Sequence, residues 1–510
     1  MDRLDSSAEF CSYLKNLWQG SKPLLKLFRT NKCGYLYDTG TNRILACSDL
    51  EYTLLTNLLT MDIGEALKRT QSCCRPAEFL KILNSMRTVI EEKNILKTKV
   101  ATQFGLSAHF ENMEALITKS LKMIILEVTE KCNLRCGYCI YNPHFSQKRN
   151  HGDRDMSLET AFRAIDHLAR NSVRCDQVGI TFYGGEPLLR FSTIKECVEY
   201  ARRTVANKVI TYSVTTNATL LTPEMAKYFA NEGFGINVSI DGPEDIHDQY
   251  RKDSNGNGSF LKTLVGLRRV IEAYDDHKKV SLSMVYSPPF SEEKVNRIAQ
   301  LWDVYPWLPK DISISISYAE RSPVLNNAST QPRMDYSLLA WAKENYLGAY
   351  KKGEKAHIIA SSLIERNLAR LHQRPIFTEP LGKYHLNGCC IPASRRLYVC
   401  VDGTFFICER IGLSPEVGSV FNGVDLERVS STYVDEYATR SLPTCAGCWA
   451  LQLCSTCYAH SFQNGRFDLD YKGMSCWLQC NINEELLKLY CSLLETNENG
   501  LDHLMDWKIV

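Results

Sequence analysis

The sequence lacks the features that would place it in a membrane, secretory or nucleic-acid-binding class. No apolar run approaches the roughly 20 residues that cross a bilayer, and the first residues have neither the basic nor the apolar region of a secretion signal. Its 60 Lys and Arg against 58 Asp and Glu give a net charge of only +2. That balance offers no electrostatic reason to bind nucleic acid. We therefore expect a cytoplasmic protein with no membrane span and no nucleic-acid partner.

Cysteine is absent from residues 198–388 and abundant on either side of them. The chain has 21 cysteines among 510 residues, and eight of them fall between Cys389 and Cys457. In a chain without a secretion signal, such clusters argue against a disulfide framework and for ligation of metals or iron–sulfur clusters. A chain of this length should also form several domains.

The first cluster is a CxxxCxxC triad of Cys132, Cys136 and Cys139, which follows the strand-like run Met123 to Thr129. Three thiolates at this spacing can hold three irons of a [4Fe–4S] cluster and leave the fourth open for a substrate or cofactor. A zinc knuckle is the alternative. It fits less well, because zinc takes four ligands and usually takes them from CxxC pairs.

Strand-like runs and helical patterns alternate from Met123 to Tyr318. Further strands are predicted near residues 179–183, 209–215, 235–240, 280–286 and 312–318. The alternation predicts a parallel sheet with crossover helices, as in a complete or partial (β/α) barrel. Residues 1–105 are predicted to form a separate module, with strands at 33–38 and 43–47 and helices at 50–61 and 76–96.

The triad and the motifs that follow it resemble the radical S-adenosylmethionine (SAM) superfamily. Tyr138 stands before the last cysteine, and Gly184-Gly185-Glu186-Pro187 resembles the Gly-Gly-Glu-Pro motif at the end of the family's second strand. Asn217 and Ser239 are similar to family positions at the ends of the fourth and fifth strands, and Arg251 follows them. The resemblance implies an α/β fold built on a (β/α)6-type partial TIM barrel.

The resemblance also implies how these residues bind SAM. Glu186 and the glycines would meet its ammonium group, Ser239 its ribose, Arg251 its carboxylate and Tyr138 its adenine. Asn217 either contacts the cofactor or caps a strand end. The implied chemistry is reductive cleavage of SAM to a 5′-deoxyadenosyl radical, with electrons from a low-potential donor such as flavodoxin or ferredoxin.

The C-terminal cysteines resemble a SPASM domain. One departure is that only two residues separate Cys454 from Cys457, a spacing associated with sactipeptide maturases of the subtilosin type. The resemblance implies two auxiliary [4Fe–4S] clusters, one on Cys390, Cys408 and Cys457 and the other on Cys445, Cys448, Cys454 and Cys476. Cys389 or Cys400 would close the first, or its fourth iron stays free, and Cys480 competes with Cys476 for the second. Zinc ribbons are the alternative on spacing alone.

These resemblances divide the chain into five parts. Residues 1–105 resemble a small winged or β/α domain that recognises leader peptides, although a cap over one barrel end is the alternative. Residues 106–320 form the radical SAM barrel, 321–387 a helical bridge, 388–482 the SPASM domain and 483–510 a C-terminal helix or tail.

The function that this organisation predicts is thioether formation between a cysteine sulfur and an α-carbon of a ribosomally made precursor peptide with a leader. A second reading is another modification on the same scaffold, either carbon–carbon cross-linking or sulfatase-type formylglycine formation. Glu409 is the candidate catalytic base, since sulfatase-type relatives carry an aspartate after the cysteine that matches Cys408; a salt bridge with Arg410 is the alternative. A third reading is a non-catalytic zinc-binding scaffold.

Metal analysis separates the enzymatic readings from the zinc scaffold. Three [4Fe–4S] clusters require about twelve irons per chain, with a matching amount of labile sulfide. We expect that content after anaerobic reconstitution of the full chain, measured by colorimetric iron and sulfide assays. Stoichiometric zinc without sulfide would contradict the radical SAM interpretation.

Overall fold

The computed structural model describes residues 6–97, 99–104, 112–141, 151–319, 337–385, 388–410 and 414–507. The predicted domain boundaries near residues 105, 320 and 387 lie outside these described residues. Across the described ranges, no helix is both long enough and apolar enough to cross a membrane.

The N-terminal module is a three-stranded antiparallel sheet packed against helices. Its strands are β1 (Leu25–Arg29), β2 (Gly34–Asp38) and β3 (Arg43–Cys47), in that order across the sheet. The helices are α1 (Ser7–Trp18), α2 (Asp49–Thr60), α3 (Ile63–Gln71) and α4 (Pro76–Lys93). A capping box between Ser48 and Glu51 starts α2. The predicted strand pair forms, and β1 joins it as a third strand that the sequence pattern did not predict.

The turn between β2 and β3 attaches this module to the rest of the chain. Asn42 donates from Nδ2 to the carbonyl of Pro375 at 2.9 Å, and its own carbonyl accepts from Arg374 Nε at 2.8 Å. The Thr39 hydroxyl donates to the carbonyl of Trp449 at 2.6 Å. The module is therefore held to the bridge and to the cysteine-rich region by hydrogen bonds to backbone carbonyls.

A parallel sheet forms the centre of the chain, preceded by a short strand and a short helix, β4 (Gln103–Phe104) and α5 (Met113–Lys119). Its six strands are β5 (Met123–Thr129), β6 (Gln177–Gly184), β7 (Val209–Thr216), β8 (Gly235–Ser239), β9 (Val280–Tyr286) and β10 (Ser313–Tyr318). All six strands predicted from the sequence are present and lie side by side in chain order. The α/β barrel prediction is confirmed.

Helices connect these strands and cover the outside of the sheet. They are α6 (Leu158–Asn171), α7 (Phe191–Thr204), α8 (Pro223–Asn231), α9 (Glu244–Tyr250), α10 (Phe260–Ala273), α11 (Glu292–Ala299) and α12 (Leu301–Val304). Two helices of the predicted bridge follow, α13 (Ser337–Lys352) and α14 (Ile358–His372).

The cysteine-rich region extends the barrel sheet. After β11 (Lys383–Tyr384), which pairs with β4, strand β12 (Leu397–Val399) pairs in parallel with Ile124–Leu126 of β5, and β13 (Phe405–Phe406) pairs antiparallel with β12. The sheet thus has eight strands. Strands of two or three residues leave no periodic signal, so the sequence did not predict this extension.

The remaining elements are short until a long C-terminal helix. They are β14 (Gly418–Ser419), β15 (Gly423–Val424), α15 (Leu426–Arg428), a π-helix (Val429–Glu436), α16 (Tyr437–Cys445), β16 (Phe462–Gln463), β17 (Arg466–Phe467) and α17 (Leu469–Leu494). The predicted boundary at residue 482 falls inside α17. This helix packs with Phe28, Tyr37 and α14 in one apolar core.

Candidate active site

The three cysteines of the triad line a cavity of about 2540 Å³ at the carboxyl end of β5. Burial raises the pKa of Cys132 and of Cys136 to about 12 and also raises the pKa of Cys139. The Arg251 guanidinium partly offsets this shift for Cys136 and Cys139. The thiols are therefore protonated in the protein alone, and a bound metal centre would supply the positive charge that thiolates need.

The Gly-Gly-Glu-Pro turn packs directly on the backbone that leads to the triad. The amide of Gly185 donates to the carbonyl of Thr129, and the amide of Glu186 donates to the carbonyl of Lys131, both at 2.8 Å. A Cβ atom at Gly184 would overlap the carbonyl oxygen of Thr129, and one at Gly185 would overlap that of Lys131. The glycines therefore allow close approach of two protein backbones. Both also line the cavity, so their predicted place beside the SAM ammonium group stays a prediction.

Glu186 is a buried carboxylate that joins two strand ends. It accepts hydrogen bonds from the amide of Asn217 at 2.8 Å, the hydroxyl of Thr216 at 2.7 Å and the amide of Leu188 at 3.1 Å. Burial raises its pKa to about 7, and these hydrogen bonds oppose the rise. It also lines the cavity. An ammonium group arriving there would favour the ionised carboxylate.

Asn217 points towards the triad. Its Nδ2 lies 3.0 Å from Oδ1 of Asn133, to which it donates, and 3.9 Å from Sγ of Cys132. Asn217 follows β7, the third strand of the barrel, and Ser239 is the last residue of β8, the fourth. The prediction that they follow the fourth and fifth strands is wrong. Both residues line the cavity. Asn133 was not singled out from the sequence, although it lies inside the triad motif.

A buried ion pair holds Arg251 beside the triad. Its Nε donates to Oδ2 of Asp241 at 2.9 Å, and only 9% of its side chain is exposed. No described residue accepts a hydrogen bond from its two terminal nitrogens, and Arg251 lines the cavity. A guanidinium held in this way can offer those nitrogens to a carboxylate.

Tyr138 also binds Asp241. Its hydroxyl donates to Oδ2 of that aspartate, and its ring lies 5.5 Å from the Arg251 guanidinium. Tyr138 was predicted as an adenine neighbour. The structure places it on the cavity wall with its hydroxyl already bound, so its ring alone is left for a ligand.

A neutral histidine, His247, supports the ion pair of Asp241 and Arg251 through hydrogen bonds. The amide of Asp241 donates to Nδ1 of His247 at 3.3 Å, and Nε2 of His247 lies 3.0 Å from the Ser259 hydroxyl, which donates to the carbonyl of Arg251 at 2.7 Å. Burial lowers the pKa of His247 to about 4. The histidine accepts at one nitrogen and donates at the other, and it fixes both partners of the ion pair.

The first predicted auxiliary set also reaches the cavity. Cys457 and Glu409 line it, and the amide of Arg410 donates to Sγ of Cys408 at 3.3 Å. Cys390 is near enough to raise the pKa of Cys457, where burial is the larger cause. Of the two candidates for a fourth ligand, Cys389 is buried beside Cys457, and Cys400 packs with Ile125 and Tyr398 in a separate small core.

Glu409 is engaged in a salt bridge. Nη1 of Arg396 lies 2.9 and 3.1 Å from its two carboxylate oxygens, whereas Nε of Arg410 is 3.8 Å away. The salt bridge with Arg410 that the sequence suggested is present, and Arg396, which the sequence did not suggest, is the nearer partner.

The second predicted auxiliary set gathers at the start of α17. Sγ of Cys448 lies 3.9 Å from Sγ of Cys480, and Nζ of the buried Lys472 lies 3.7 Å from Sγ of Cys445. Cys476 sits one helical turn before Cys480. Burial raises its pKa to about 11, and Cys445, Cys454 and Cys448 lie near enough to add to the rise. Both candidates for the last ligand therefore stay open. Lys472 was missed because a lone lysine gives no signal in the sequence.

Nowhere in the described ranges do three His, Cys, Asp or Glu side chains converge closely enough to bind a single metal ion. Zinc ribbons require such convergence. A [4Fe–4S] cluster does not, because each of its cysteines ligates a different iron.

Comparisons with known proteins agree with this site. Residues 126–301 match the model of the Radical SAM superfamily. The chain is 38% identical over 155 residues to an uncharacterized protein of Methanocaldococcus jannaschii, covering 30% of this chain and 50% of that protein. It is 35% identical over 154 residues to the serine-type anaerobic sulfatase-maturating enzyme of Bacteroides thetaiotaomicron, covering 30% of this chain and 37% of that enzyme. The chain thus spans half or less of the length of these relatives.

A solved structure shares the fold. Native anSMEcpe with bound AdoMet aligns over 75% of this chain and 99% of its own, with a TM-score of 0.55 and 20% identity. Residues 126–301 thus resemble a radical SAM domain in sequence, and the parallel sheet agrees with that resemblance. Domains of this class use a [4Fe–4S] cluster together with SAM, and the triad and the cavity of this chain fit both.

The packing of the glycine turn predicts the effect of a single methyl group. In Gly185→Ala the new Cβ overlaps the Lys131 carbonyl, so the loop that carries the triad must move. We expect a loss of about 1–3 kcal/mol in stability and fewer irons retained per chain. Thermal unfolding and iron analysis measure both. Gly348→Ala is the matched control, because nothing lies within 4 Å of its added Cβ on α13; equal behaviour of the two variants would contradict this account.

The buried ion pair predicts that Asp241→Asn weakens SAM binding. Arg251 would lose its partner, and breaking a buried pair typically costs about 3–5 kcal/mol. We expect SAM affinity to fall at least about tenfold (~1.4 kcal/mol), measured by equilibrium dialysis of the reconstituted protein. Asp245→Asn removes an exposed pair with Arg297 and should change little. Unaltered affinity in Asp241→Asn would show that the pair does not position Arg251.

Proposed function

We propose that this chain is a radical SAM enzyme of the SPASM group that modifies a ribosomally made precursor peptide and links a cysteine sulfur to an α-carbon. The observation that carries the proposal is that one cavity is lined both by the triad and by Cys457 of the first auxiliary set. A peptide lying in this cavity would meet both centres.

The clusters and SAM, when bound, supply a radical that abstracts hydrogen and take up the single electron that thioether formation leaves over. The chain's own residues position the reactants. Cys132, Cys136 and Cys139 would hold the first cluster, while Arg251, fixed by Asp241, offers its terminal nitrogens to the SAM carboxylate. Glu186 receives the ammonium group from its buried place beside Asn217.

Thioether formation removes two hydrogens in all from the peptide. The peptide loses one hydrogen atom from the α-carbon of the acceptor residue and one proton from the cysteine thiol, and one electron leaves. A carbon–sulfur bond forms. Cys390, Cys408 and Cys457 would hold the auxiliary cluster nearest to the sulfur.

The N-terminal module supports a peptide substrate with a leader. Strand β3 lies at one end of its sheet. An extended leader can add to such an edge through main-chain hydrogen bonds. Electrons would come from a low-potential donor, flavodoxin or ferredoxin.

Formylglycine formation is the second candidate, because sulfatase-maturating enzymes are among the relatives. One is the serine-type enzyme, and the cysteine-type enzyme of Clostridium novyi is 33% identical over 156 residues. The salt bridge from Arg396 to Glu409 speaks against it, since the base of that reaction would have to leave its partner. Glu409 therefore stays a candidate base for this alternative only.

Mass spectrometry with thiol alkylation tests the proposal. Reconstituted enzyme, SAM and a reductant are incubated with a cysteine-rich precursor sought among the short open reading frames that neighbour this gene. Each thioether should remove two hydrogens and also one thiol that iodoacetamide can alkylate.

The controls separate the alternatives. Oxidation of serine to formylglycine also removes two hydrogens but leaves every thiol, and oxidation of cysteine removes the sulfur itself. A loss of two hydrogens from a precursor whose cysteines are all replaced would exclude sulfur as the partner. The Cys136→Ala enzyme, which lacks a triad ligand, should give no product.

A further inference from the structure

Strand β10 leaves one edge of the barrel sheet open. It forms one end of the eight-stranded sheet and pairs with β9, and no other strand of the described chain pairs with its far edge. The opposite end of the sheet is extended by β12 and β13. An open edge presents N–H and C=O groups that pair readily with another extended chain.

The direction of these groups follows from one hydrogen bond. The amide of Ala319 donates to the carbonyl of Tyr286 at 2.9 Å, so it points towards β9. Successive residues of a strand direct their backbone groups to alternate sides. Ser315 and Ser317 therefore face β9 as well, and Ile314 and Ile316 direct their N–H and C=O groups to the open edge.

The open edge borders the cavity. Every residue from 312 to 319 lines it, and Ser361, Ser362 and Glu365 of α14 line it as well. The two faces of β10 differ. The serines are exposed, whereas Ile314 is buried and Ile316 faces Leu338 and Ile359 of the covering helices. The cavity is therefore bordered by polar side chains and open main-chain groups along this strand.

The size of the cavity favours a polypeptide over a small molecule. Pockets for small ligands measure about 300–1,000 Å³, and this cavity of about 2540 Å³ is far larger. It extends from Arg251 at the SAM side to Cys457 in the cysteine-rich region. An extended chain along β10 would reach both.

We propose that the polypeptide substrate docks as an added strand on the open edge of β10 and pairs with the backbone groups of Ile314 and Ile316. Main-chain pairing gives affinity without fixing the sequence, and it sets which substrate residues face the serines. This inference rests on the proposed function, because it takes the substrate to be a polypeptide.

Replacement of one edge amide tests the pairing. Ile316→Pro removes an N–H that β9 does not use, and proline is tolerated on edge strands. Ile316→Val keeps the N–H with a side chain of similar size and is the matched control. The probe is a fluorescent library of short peptides with a central cysteine, selected for binding to the reconstituted full-length enzyme.

We expect the selected peptides to bind Ile316→Pro about tenfold more weakly than Ile316→Val, from the loss of one or two hydrogen bonds. Iron content and thermal unfolding establish that both variants are folded. Equal affinity for the two folded variants would overturn the proposal. Peptide binding to wild type should also slow hydrogen exchange at the amides of Ile314 and Ile316; binding without that protection would overturn it even if the proline variant does not fold.

The modification assay separates this inference from the proposed function. A precursor that Ile316→Pro and Ile316→Val modify with equal KM would refute the docking and leave the function standing. Peptides that depend on the Ile316 amide but are never modified would support the docking and refute the function.

Discussion

Backbone contacts between the loop after β5 and the turn after β6 fix the position of the triad. Thr129 and Lys131 offer carbonyls to the amides of Gly185 and Glu186, and the two glycines leave no side chain between the chains. On the other side of the loop, Asp155 accepts from the Thr129 hydroxyl at 2.6 Å and pairs with Lys131 at 3.0 Å. The backbone that leads into Cys132 is therefore held by contacts on two sides. A cluster ligand needs such support, because a shift of the loop would move all three sulfurs together.

The same strand, β5, joins the triad to the cysteine-rich region. Its outer edge pairs with β12, and Glu127 on β5 accepts hydrogen bonds from the Tyr141 hydroxyl and from the amide of Val401, each at 3.3 Å. Tyr141 follows the triad by two residues, and its hydroxyl lies 3.2 Å from that of Tyr398 on β12. Strand β5 thus positions both the loop that carries the triad and the start of the segment that leads to Cys408. The distance between the triad and the cysteine-rich region is therefore set by strand pairing in the sheet, and it does not depend on a flexible linker.

The sequence predicted the barrel well because its strands are runs of apolar and β-branched residues long enough to show a pattern. Strand β12 has three residues and β13 two, so their place in the sheet arises only from pairing between distant segments. The candidate residues at the strand ends were found, yet several of their partners were not. Only the fold brings Asp241 to Arg251 and Tyr138. The nearer partner of Glu409 was missed for a similar reason, since Arg396 lies 13 residues away and reaches it across the fold.

Charge then explains why Arg251 needs its elaborate support. The residue is almost fully buried beside the thiols of Cys136 and Cys139, in a place where an unpaired cation would be costly. Asp241 offsets that cost, and Asp241 is itself held by Tyr138, by the amide of Val285 at 3.0 Å and through its own amide by His247. Because Asp241 binds Nε, the two terminal nitrogens stay directed to the cavity. A carboxylate entering the cavity would add a second negative group to an already neutral pair. Its binding is therefore favoured by directed hydrogen bonds from the guanidinium, and the net charge of the ion pair adds little.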